Sequence, residues 1–517
     1  MKTKTQIYNL IKSFTRPERS DEDFGLQKVS FFSYAVIFIS AVFCITFCSK
    51  SSPIYPFNDW VDVNCFFTVG KSILHGKVLY TDIYEQKGPI LYFLHTIFYF
   101  MSPNSFLGAY IFEIISSFAF LTISYKTMLL FYSQKIIVAI PFLSAMVYSC
   151  PSFSHGGSAE EYCLPFLAFC FYVGIKACFE EKQISKASWL IIGITSAFVL
   201  WIKYTLLGIY IGFFLFLLIQ SIVKKDTKKF LSCIIPLSSG IILGSLPVII
   251  YFSANGGFTD LFKVYFYDNI FSYSKGASNL FSVIENVTVG YKKILTGILF
   301  LVIFPTLTFV FAFFQKKSSL LYCLSTFIFT LFFIYCGGRR SIYYAFPISI
   351  FTPIGVALFF HLLLELKNKI FSKTFKTRIN LFLPPLYAAF CIMVIFGRST
   401  NVYLLQYEKE ELPQFQFAQT ISQTENPTML NYGFLDGGFY TVCDIVPHCK
   451  YFCGLNIPLD EIKESQDFIV KNGLSDFVVT RDTTLAEEIS EKYEIVCKRY
   501  FPFENQIRIY YLYKKIE

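Results

Sequence analysis

Residues 187–223 read ASWLIIGITSAFVLWIKYTLLGIYIGFFLFLLIQSIV, two apolar stretches separated by little more than Lys203. Because a bilayer core about 30 Å thick needs roughly 20 apolar residues per helix, each stretch predicts a membrane span. Comparable stretches recur through most of the chain. We predict eleven spans, at 29–48, 105–125, 136–151, 161–178, 187–202, 205–223, 231–252, 294–315, 319–336, 341–364 and 380–398.

The composition also indicates a membrane protein. Of the 517 residues, 54% are hydrophobic and only 16% are charged, which excludes an ordinary soluble globular domain. The formal charge of +9 lies in short runs between apolar stretches, so it does not indicate a nucleic-acid partner. Most of the fifteen cysteines lie in or beside apolar stretches, where thiols act as small hydrophobes; Cys443, Cys449 and Cys453 could pair or stay free.

Lysine-rich loops set the predicted orientation. Positive residues favour cytoplasmic loops, and with eleven crossings the basic loops all fall on one side. These loops lie at 182–186, 224–229, 316–317 and 367–378. Segment 1–28 is then cytoplasmic, and its length and polarity argue against a cleaved signal peptide. We therefore expect a multi-pass plasma-membrane protein with a cytoplasmic N-terminus.

The same topology places a long first loop, 49–104, and the tail, 399–517, outside the membrane. Within that loop, the apolar stretch 89–103 is short and bounded by prolines, so we interpret it as an interfacial or re-entrant helix on the outer face. The tail has soluble composition, and its alternating patterns predict an α/β domain. Its predicted strands are 428–432, 476–480, 494–499 and 506–513, and its predicted helices are 459–472 and 484–492. The predicted fold class is an all-α polytopic domain over 29–398 followed by this small extracytoplasmic α/β domain.

Several charged residues in the predicted outer regions could bear chemistry. Asp62, Asp82 and Lys87 lie in the first loop, and Glu160 and Glu161 lie at the start of a later span. A solvated amphipathic loop, or helix capping by Ser158, would explain these carboxylates without a site.

Cations on the same side run against the positive-inside trend. Lys203 lies between two spans, and Arg339 lies at the start of another. Snorkelling to headgroups is the alternative to binding an anion. If the two sets meet, a carboxylate can take a proton from an acceptor hydroxyl while the cations stabilise a departing lipid phosphate.

The order of motifs in the first loop resembles the GT-C superfamily of polytopic glycosyltransferases, which includes aminoarabinose transferases and protein O-mannosyltransferases. The motifs are Asp62, Gly70-Lys71, Gly76 to Tyr80, Asp82 and Lys87-Gly88-Pro89. The resemblance implies that Asp62 is the catalytic base or positions the acceptor. It also implies that Lys87 contacts the donor phosphate, and that a second acidic residue is Glu160 or, by preference, Glu161.

The resemblance further implies a polyprenyl-phosphate sugar as donor and a glycan, lipid or protein as acceptor. Arg339 and Tyr343, in the segment 337–344, are weaker donor-site candidates. Among the cations Lys203 is of most interest, and we expect it to bind the phosphate together with Lys87; Asp82 is a further substrate-binding candidate. The family pattern often has Asp-Glu where this chain has Asp62-Val63, so the resemblance leaves a divalent cation possible but does not imply that the reaction depends on one.

Two other functions predict different sequence features. A transporter or flippase of lipid-linked saccharides predicts charges at mid-membrane in discontinuous helices and pseudo-repeated halves, and the sequence shows neither. A non-catalytic assembly factor that presents the tail would need no polar cluster in the first loop.

Overall fold

The computed structural model describes residues 29–274, 279–370, 373–503 and 506–516, so the predicted cytoplasmic segment 1–28 lies outside the described residues. The described chain is mostly helical. Its long helices are α1 Phe31–Cys48, α2 Val61–Leu74, α3 Pro89–Met101, α4 Leu107–Leu129, α5 Ala139–Tyr148, α6 Ala159–Glu180, α7 Lys186–Lys203, α8 Gly208–Val223, α9 Thr227–Asn255, α10 Leu280–Gly297, α11 Phe300–Gln315, α12 Lys317–Tyr335, α13 Pro353–Ile370, α14 Lys373–Arg398, α15 Pro413–Ile421 and α16 Asp460–Asn472. A π-helical segment, Phe262–Tyr273, and a 3-10 segment, Ile342–Phe351, lie between them.

The helices confirm a multi-pass membrane domain. Among the described residues, six helices are long and apolar enough to cross a bilayer, and two bent helix pairs raise the number to eight if each pair is one span. The six are α1, α4, α6, α7 with the turn after it, the part of α9 from Phe230, and α12. Every predicted span coincides with helix, but five are shorter or broken, so the count of eleven stays a prediction.

Breaks occur where the sequence pattern predicted continuous helices. The predicted span 294–315 contains the end of α10 at Gly297 and the start of α11 at Phe300, and the two axes differ by 103°. The predicted span 341–364 is bent by 59° where the 3-10 segment Ile342–Phe351 meets the α-helix that begins at Pro353. Apolar composition therefore predicted that these segments are helical but did not predict the breaks within them.

The first loop folds into a helical hairpin. α2 packs against α3, which has Pro89 in its first turn as its sequence favours. The contact is close at Gly70, where a Cβ atom would lie 2.6 Å from the carbonyl carbon of His95. The helix predicted over 89–103 thus exists, at about 20 Å long for 13 residues.

The tail is a small α/β domain, as predicted. Its strands are β1 Met429–Asn431, β2 Phe477–Arg481, β3 Tyr493–Phe503 and β4 Gln506–Lys515, in the sheet order β1-β2-β4-β3. β1 and β2 are parallel and joined by a crossover that contains α16; β4 is antiparallel to both of its neighbours. The helix predicted over 484–492 reduces to the turn Glu487–Ser490. The three tail cysteines considered for pairing are free thiols.

The tail docks directly on α2. Buried Asp436 accepts a hydrogen bond from the Thr68 hydroxyl at 2.6 Å, and the Lys71 ammonium donates to the Tyr440 carbonyl at 2.7 Å. Buried polar groups are costly unless they are paired, so these contacts fix the relative position of the two parts. The helix that carries Asp62 is therefore packed between the membrane domain and the tail.

Candidate active site

A cavity of about 460 Å³ lies where the first loop, the end of α7, the π-helical segment and the end of α12 meet. Three cations line it: Lys87, Lys203 and Arg339. The rest of the lining is largely aromatic and aliphatic, and includes Ile270, Phe271, Val283, Phe332, Phe333 and Ile334. The cavity therefore offers positive charge and apolar surface together, which suits a ligand with an anionic head and a hydrocarbon tail.

Lys203 is held at the cavity by Glu160. It is the last residue of α7, and Glu160 is in the first turn of α6. The Lys203 Nζ lies 2.5 Å from Glu160 Oε1, with the side chains only 12% and 1% exposed. The same ammonium lies 3.8 Å from the ring centroid of Tyr344, a cation–π contact. Lys203 is thus a nearly buried, oriented cation.

Lys87 reaches the same cavity because a glycine follows it. The Gly88 N–H donates to the Ile202 carbonyl at 3.2 Å, and a Cβ at Gly88 would lie only 2.1 Å from the Trp201 carbonyl oxygen. Any larger residue would push the loop away from the end of α7. This contact brings Lys87 beside Lys203.

The electrostatics around Lys87 favour its charged form. Burial alone would lower the pKa of Lys87, but the negative charges of Glu85 and Asp62 raise it above its ordinary value. Glu85 is buried and accepts hydrogen bonds from the Lys87 N–H at 3.0 Å and from the Tyr92 hydroxyl. Burial raises the pKa of the Glu85 carboxyl.

Asp62 lies next to the cavity rather than in its lining. It is in the first turn of α2, half-buried, and accepts a hydrogen bond from the Tyr343 hydroxyl at 3.0 Å. The next residue, Tyr344, lines the cavity, and its hydroxyl is 3.3 Å from that of Tyr273. Tyr343 and Tyr344 therefore join the carboxylate to the cationic cavity.

Arg339 lines the cavity with much of its guanidinium already engaged. Nε donates to the Tyr273 carbonyl at 3.1 Å and Nη2 to the Asn456 carbonyl of the tail at 2.8 Å. The guanidinium also lies 4.1 Å from the ring centroid of Tyr273. Arg339 thus links the cavity wall to the tail, and two of its guanidinium N–H groups are committed to backbone carbonyls.

Two predicted site residues lie elsewhere. Glu161 is buried, does not line the cavity, and accepts the Gly157 N–H at 2.8 Å. Asp82 is exposed and accepts the Val78 N–H at 2.7 Å, closing a local turn. Of the two adjacent glutamates it is Glu160, and not the preferred Glu161, that meets a cavity cation.

Sequence reasoning missed several residues at the site. Four residues were not among the predicted site residues: Tyr344, Tyr273 and Asn269, which line the cavity, and Glu85, which supports Lys87. Tyr344 follows the predicted residue Tyr343, and Glu85 is two residues before the predicted residue Lys87. Closeness in sequence to a predicted site residue was therefore the only signal that could have found them. Among the described residues no group of three or more His, Cys, Asp or Glu side chains could hold a metal ion.

Comparisons with known proteins bear on the fold. No protein-family model matches the sequence, and no curated protein matches it. Among solved structures, ArnT from Cupriavidus metallidurans bound to undecaprenyl phosphate matches with a TM-score of 0.59 and 13% identity, covering 93% of this chain and 98% of that one. The same protein in the apo state matches with a TM-score of 0.58, at the same identity and coverage. The chain therefore has the same overall fold as ArnT, and the resemblance seen in the first loop is confirmed at the level of the fold.

Proposed function

We propose that this protein transfers a sugar from a polyprenyl-phosphate-linked donor to an acceptor hydroxyl at the outer face of the plasma membrane. One observation supports this proposal most. Lys87, Lys203 and a set of apolar side chains line the same cavity, and Asp62 lies next to it. A phosphate would sit at the lysines, and the polyprenyl chain would follow the apolar side chains. The structural neighbour ArnT was solved with undecaprenyl phosphate bound, which fits this assignment.

The proposed reaction is a single displacement at the sugar. Asp62 accepts the proton of the acceptor hydroxyl as that oxygen forms a bond to C1 of the donor sugar. The bond from C1 to the phosphate oxygen breaks, and the electron pair leaves with the polyprenyl phosphate. Attack from the face opposite the leaving group inverts the anomeric centre.

The remaining residues prepare these two events. Lys87 and Lys203 stabilise the negative charge that develops on the departing phosphate. Glu160 is a positioning residue, because it holds Lys203 through the 2.5 Å ion pair. The Tyr343 hydroxyl orients the Asp62 carboxylate.

The orientation belongs to this proposal. Lysines crowd the ends of α6, α7 and α8 that lie away from the cavity, and positive residues favour the cytoplasmic side. With eleven crossings, the cavity and the tail face outward. The product would then be a glycan, lipid or protein of the cell surface.

The test is sugar transfer in proteoliposomes with a radiolabelled polyprenyl-phosphate sugar. Asp62→Asn keeps the shape of the side chain but removes the base, so transfer should fall by about a hundredfold or more. Asp460→Asn, at an exposed position in the first turn of α16, is the matched control and should transfer normally. Equal transfer by wild type and Asp62→Asn refutes the assignment of the base.

The same assay separates the alternatives. A flippase moves the intact donor across the bilayer without releasing polyprenyl phosphate, and an assembly factor consumes no donor. Repeating the assay with a chelator tests whether a divalent cation contributes. Mass spectrometry of surface glycans from cells with and without the protein would then identify sugar and acceptor.

A further inference from the structure

Two cysteines meet where the tail docks on α2. Cys65 lies in α2, on the same helix as Asp62, and Cys453 lies in the tail, 388 residues further along the chain. Their sulfur atoms are 3.9 Å apart, and the two residues are only 1% and 0% exposed. Both are thiols in the structure. Neither thiol has a part in the proposed transfer.

The backbone on each side of the contact is held in place. Cys65 is in the interior of α2, and Thr68, one turn further on, is hydrogen-bonded to the tail. Backbone hydrogen bonds flank Cys453, because the Phe452 carbonyl accepts one at 3.2 Å and the Gly454 N–H donates another at 2.8 Å. The two sulfur atoms are therefore neighbours because two fixed segments of backbone present them to each other.

The remaining gap between the sulfur atoms is one that side-chain rotation can close. A disulfide joins two sulfur atoms at about 2.05 Å, so those of Cys65 and Cys453 would have to approach by roughly 1.9 Å. Rotation about the single χ1 angle of each side chain moves its sulfur without moving the backbone. The pair can therefore be joined while α2 and the tail keep their relative position.

We propose that Cys65 and Cys453 are oxidised to a disulfide that ties the tail to α2. Disulfides form and persist outside the cytosol, whereas cytosolic thiols are kept reduced. This disulfide rests on the outward orientation included in the proposed function, but not on the transfer reaction. Its consequence is a covalent link between the tail and the helix that carries Asp62.

The oxidant is a protein or small molecule that carries a reactive disulfide. One cysteine thiolate attacks that disulfide, forms a mixed disulfide and releases the first oxidant thiolate. The second cysteine thiolate attacks the protein sulfur of the mixed disulfide, which forms the Sγ–Sγ bond and releases the second oxidant thiolate. Two protein thiols are thus oxidised, one oxidant disulfide is reduced to two thiols, and the two cysteine protons pass to them.

Burial sets the order of events. It raises the pKa of both cysteine thiols, so little thiolate is present once the tail has docked. The exchange therefore takes place before docking is complete, and the finished bond is then out of reach of reductants in solution. In folded protein the disulfide should resist a reductant to which it yields in denaturant.

The test is a map of the cysteines in full-length protein taken directly from cells. Cells are quenched in acid, free thiols are alkylated in denaturant, and the unreduced protein is digested for mass spectrometry. Cys65→Ser and Cys453→Ser each remove one partner. Cys449→Ser is the matched control, because it removes a different thiol from the same segment of the tail.

In wild type and in Cys449→Ser, most of the Cys65 and Cys453 peptides should be recovered as one linked species. That species is two hydrogen atoms lighter than the two reduced peptides together, disappears on reduction, and should be missing from both partner variants. Full alkylation of both thiols in wild type overturns the proposal, and so does a peptide that links Cys449 to Cys453. The wild-type map decides even if a serine variant folds poorly.

A second measurement separates the causes of failure. Purified, reduced wild type is treated with iodine, a small oxidant that converts two adjacent thiols to a disulfide and is itself reduced to iodide. A link that iodine makes but cells do not overturns the proposal and assigns the fault to the orientation. Absence of the link from both overturns it on the geometry alone. Sugar transfer measured on the same preparation shows whether the proposed function fails independently.

Discussion

The ion pair between Glu160 and Lys203 provides a test that separates two roles of Lys203, stabilising the fold and binding the donor. Both side chains are nearly excluded from solvent, and their charged atoms are 2.5 Å apart. Replacing Lys203 with Met leaves a buried carboxylate without its cation. Breaking such a pair from one side costs about 3–5 kcal/mol, far more than the intact pair contributes relative to a neutral one.

The two single variants should lose different amounts of stability. Lys203→Met should lower the free energy of unfolding by about 4 kcal/mol for the reason just given. Glu160→Gln leaves an ammonium that still contacts the Tyr344 ring at 3.8 Å, so its loss should be smaller, about 1–2 kcal/mol. The double variant has no buried charge and should unfold within about 1 kcal/mol of wild type. The implied coupling energy is about 4–6 kcal/mol, well above that of an exposed pair.

Unfolding in mixed micelles gives the stabilities, and equilibrium binding of a polyprenyl phosphate gives the affinity. The double variant should recover stability but bind the lipid about tenfold or more weakly, because it still lacks the Lys203 ammonium. The exposed pair of Lys316 and Glu181 is the control, and Lys316→Met should cost less than about 1 kcal/mol. If the double variant is as unstable as Lys203→Met, the pair is not a buried ion pair. If it binds the lipid as wild type does, Lys203 is only structural.

Two further predictions concern the Lys87 loop. Gly88→Ala should lower sugar transfer by about a hundredfold while the protein stays folded, because a Cβ 2.1 Å from the Trp201 carbonyl displaces Lys87 by roughly an ångström; transfer at the wild-type rate would contradict the packing. Lys87 has a raised pKa in the folded protein, so its charge is fully present below the ordinary lysine pKa of about 10.4 and is lost only as the pH rises through the raised value. Lipid binding should therefore hold steady from about pH 7 to about pH 10, with Lys87→Gln weaker throughout as the control, and a decline well below that limit would contradict it.

Much of the fold could be predicted because hydrophobic length and periodicity are local signals. Every predicted span is helical, and the four tail strands appear where alternation placed them. The breaks at Gly297 and Pro353 were missed because a uniformly apolar run looks the same whether the helix continues or turns. The helix predicted over 484–492 is reduced to the single turn Glu487–Ser490.

The site was harder to predict because side chains meet across distant segments. Sequence order placed Asp62, Lys87 and Lys203 on one predicted face, and the structure brings the two lysines into one cavity with Asp62 beside it. It could not choose between Glu160 and Glu161, since neighbouring residues on a helix point about 100° apart and only the position of α7 decides which one meets Lys203. Asp82 matched a motif, yet its carboxylate serves a local turn.

The contacts of the tail suggest that it is part of the site rather than an appended domain. Asp436 and Lys71 are both fully buried where the tail meets α2, and burial raises the pKa of the Asp436 carboxyl and lowers that of the Lys71 ammonium. Burying these charged groups costs free energy, and their paired contacts hold the tail and α2 in one relative position. Here they fix α2, whose first turn carries Asp62, while Arg339 joins the cavity wall to the tail at Asn456. Asp62, the proposed base, and the cationic cavity are therefore both anchored to the same small domain, which would keep them in register during the proposed transfer.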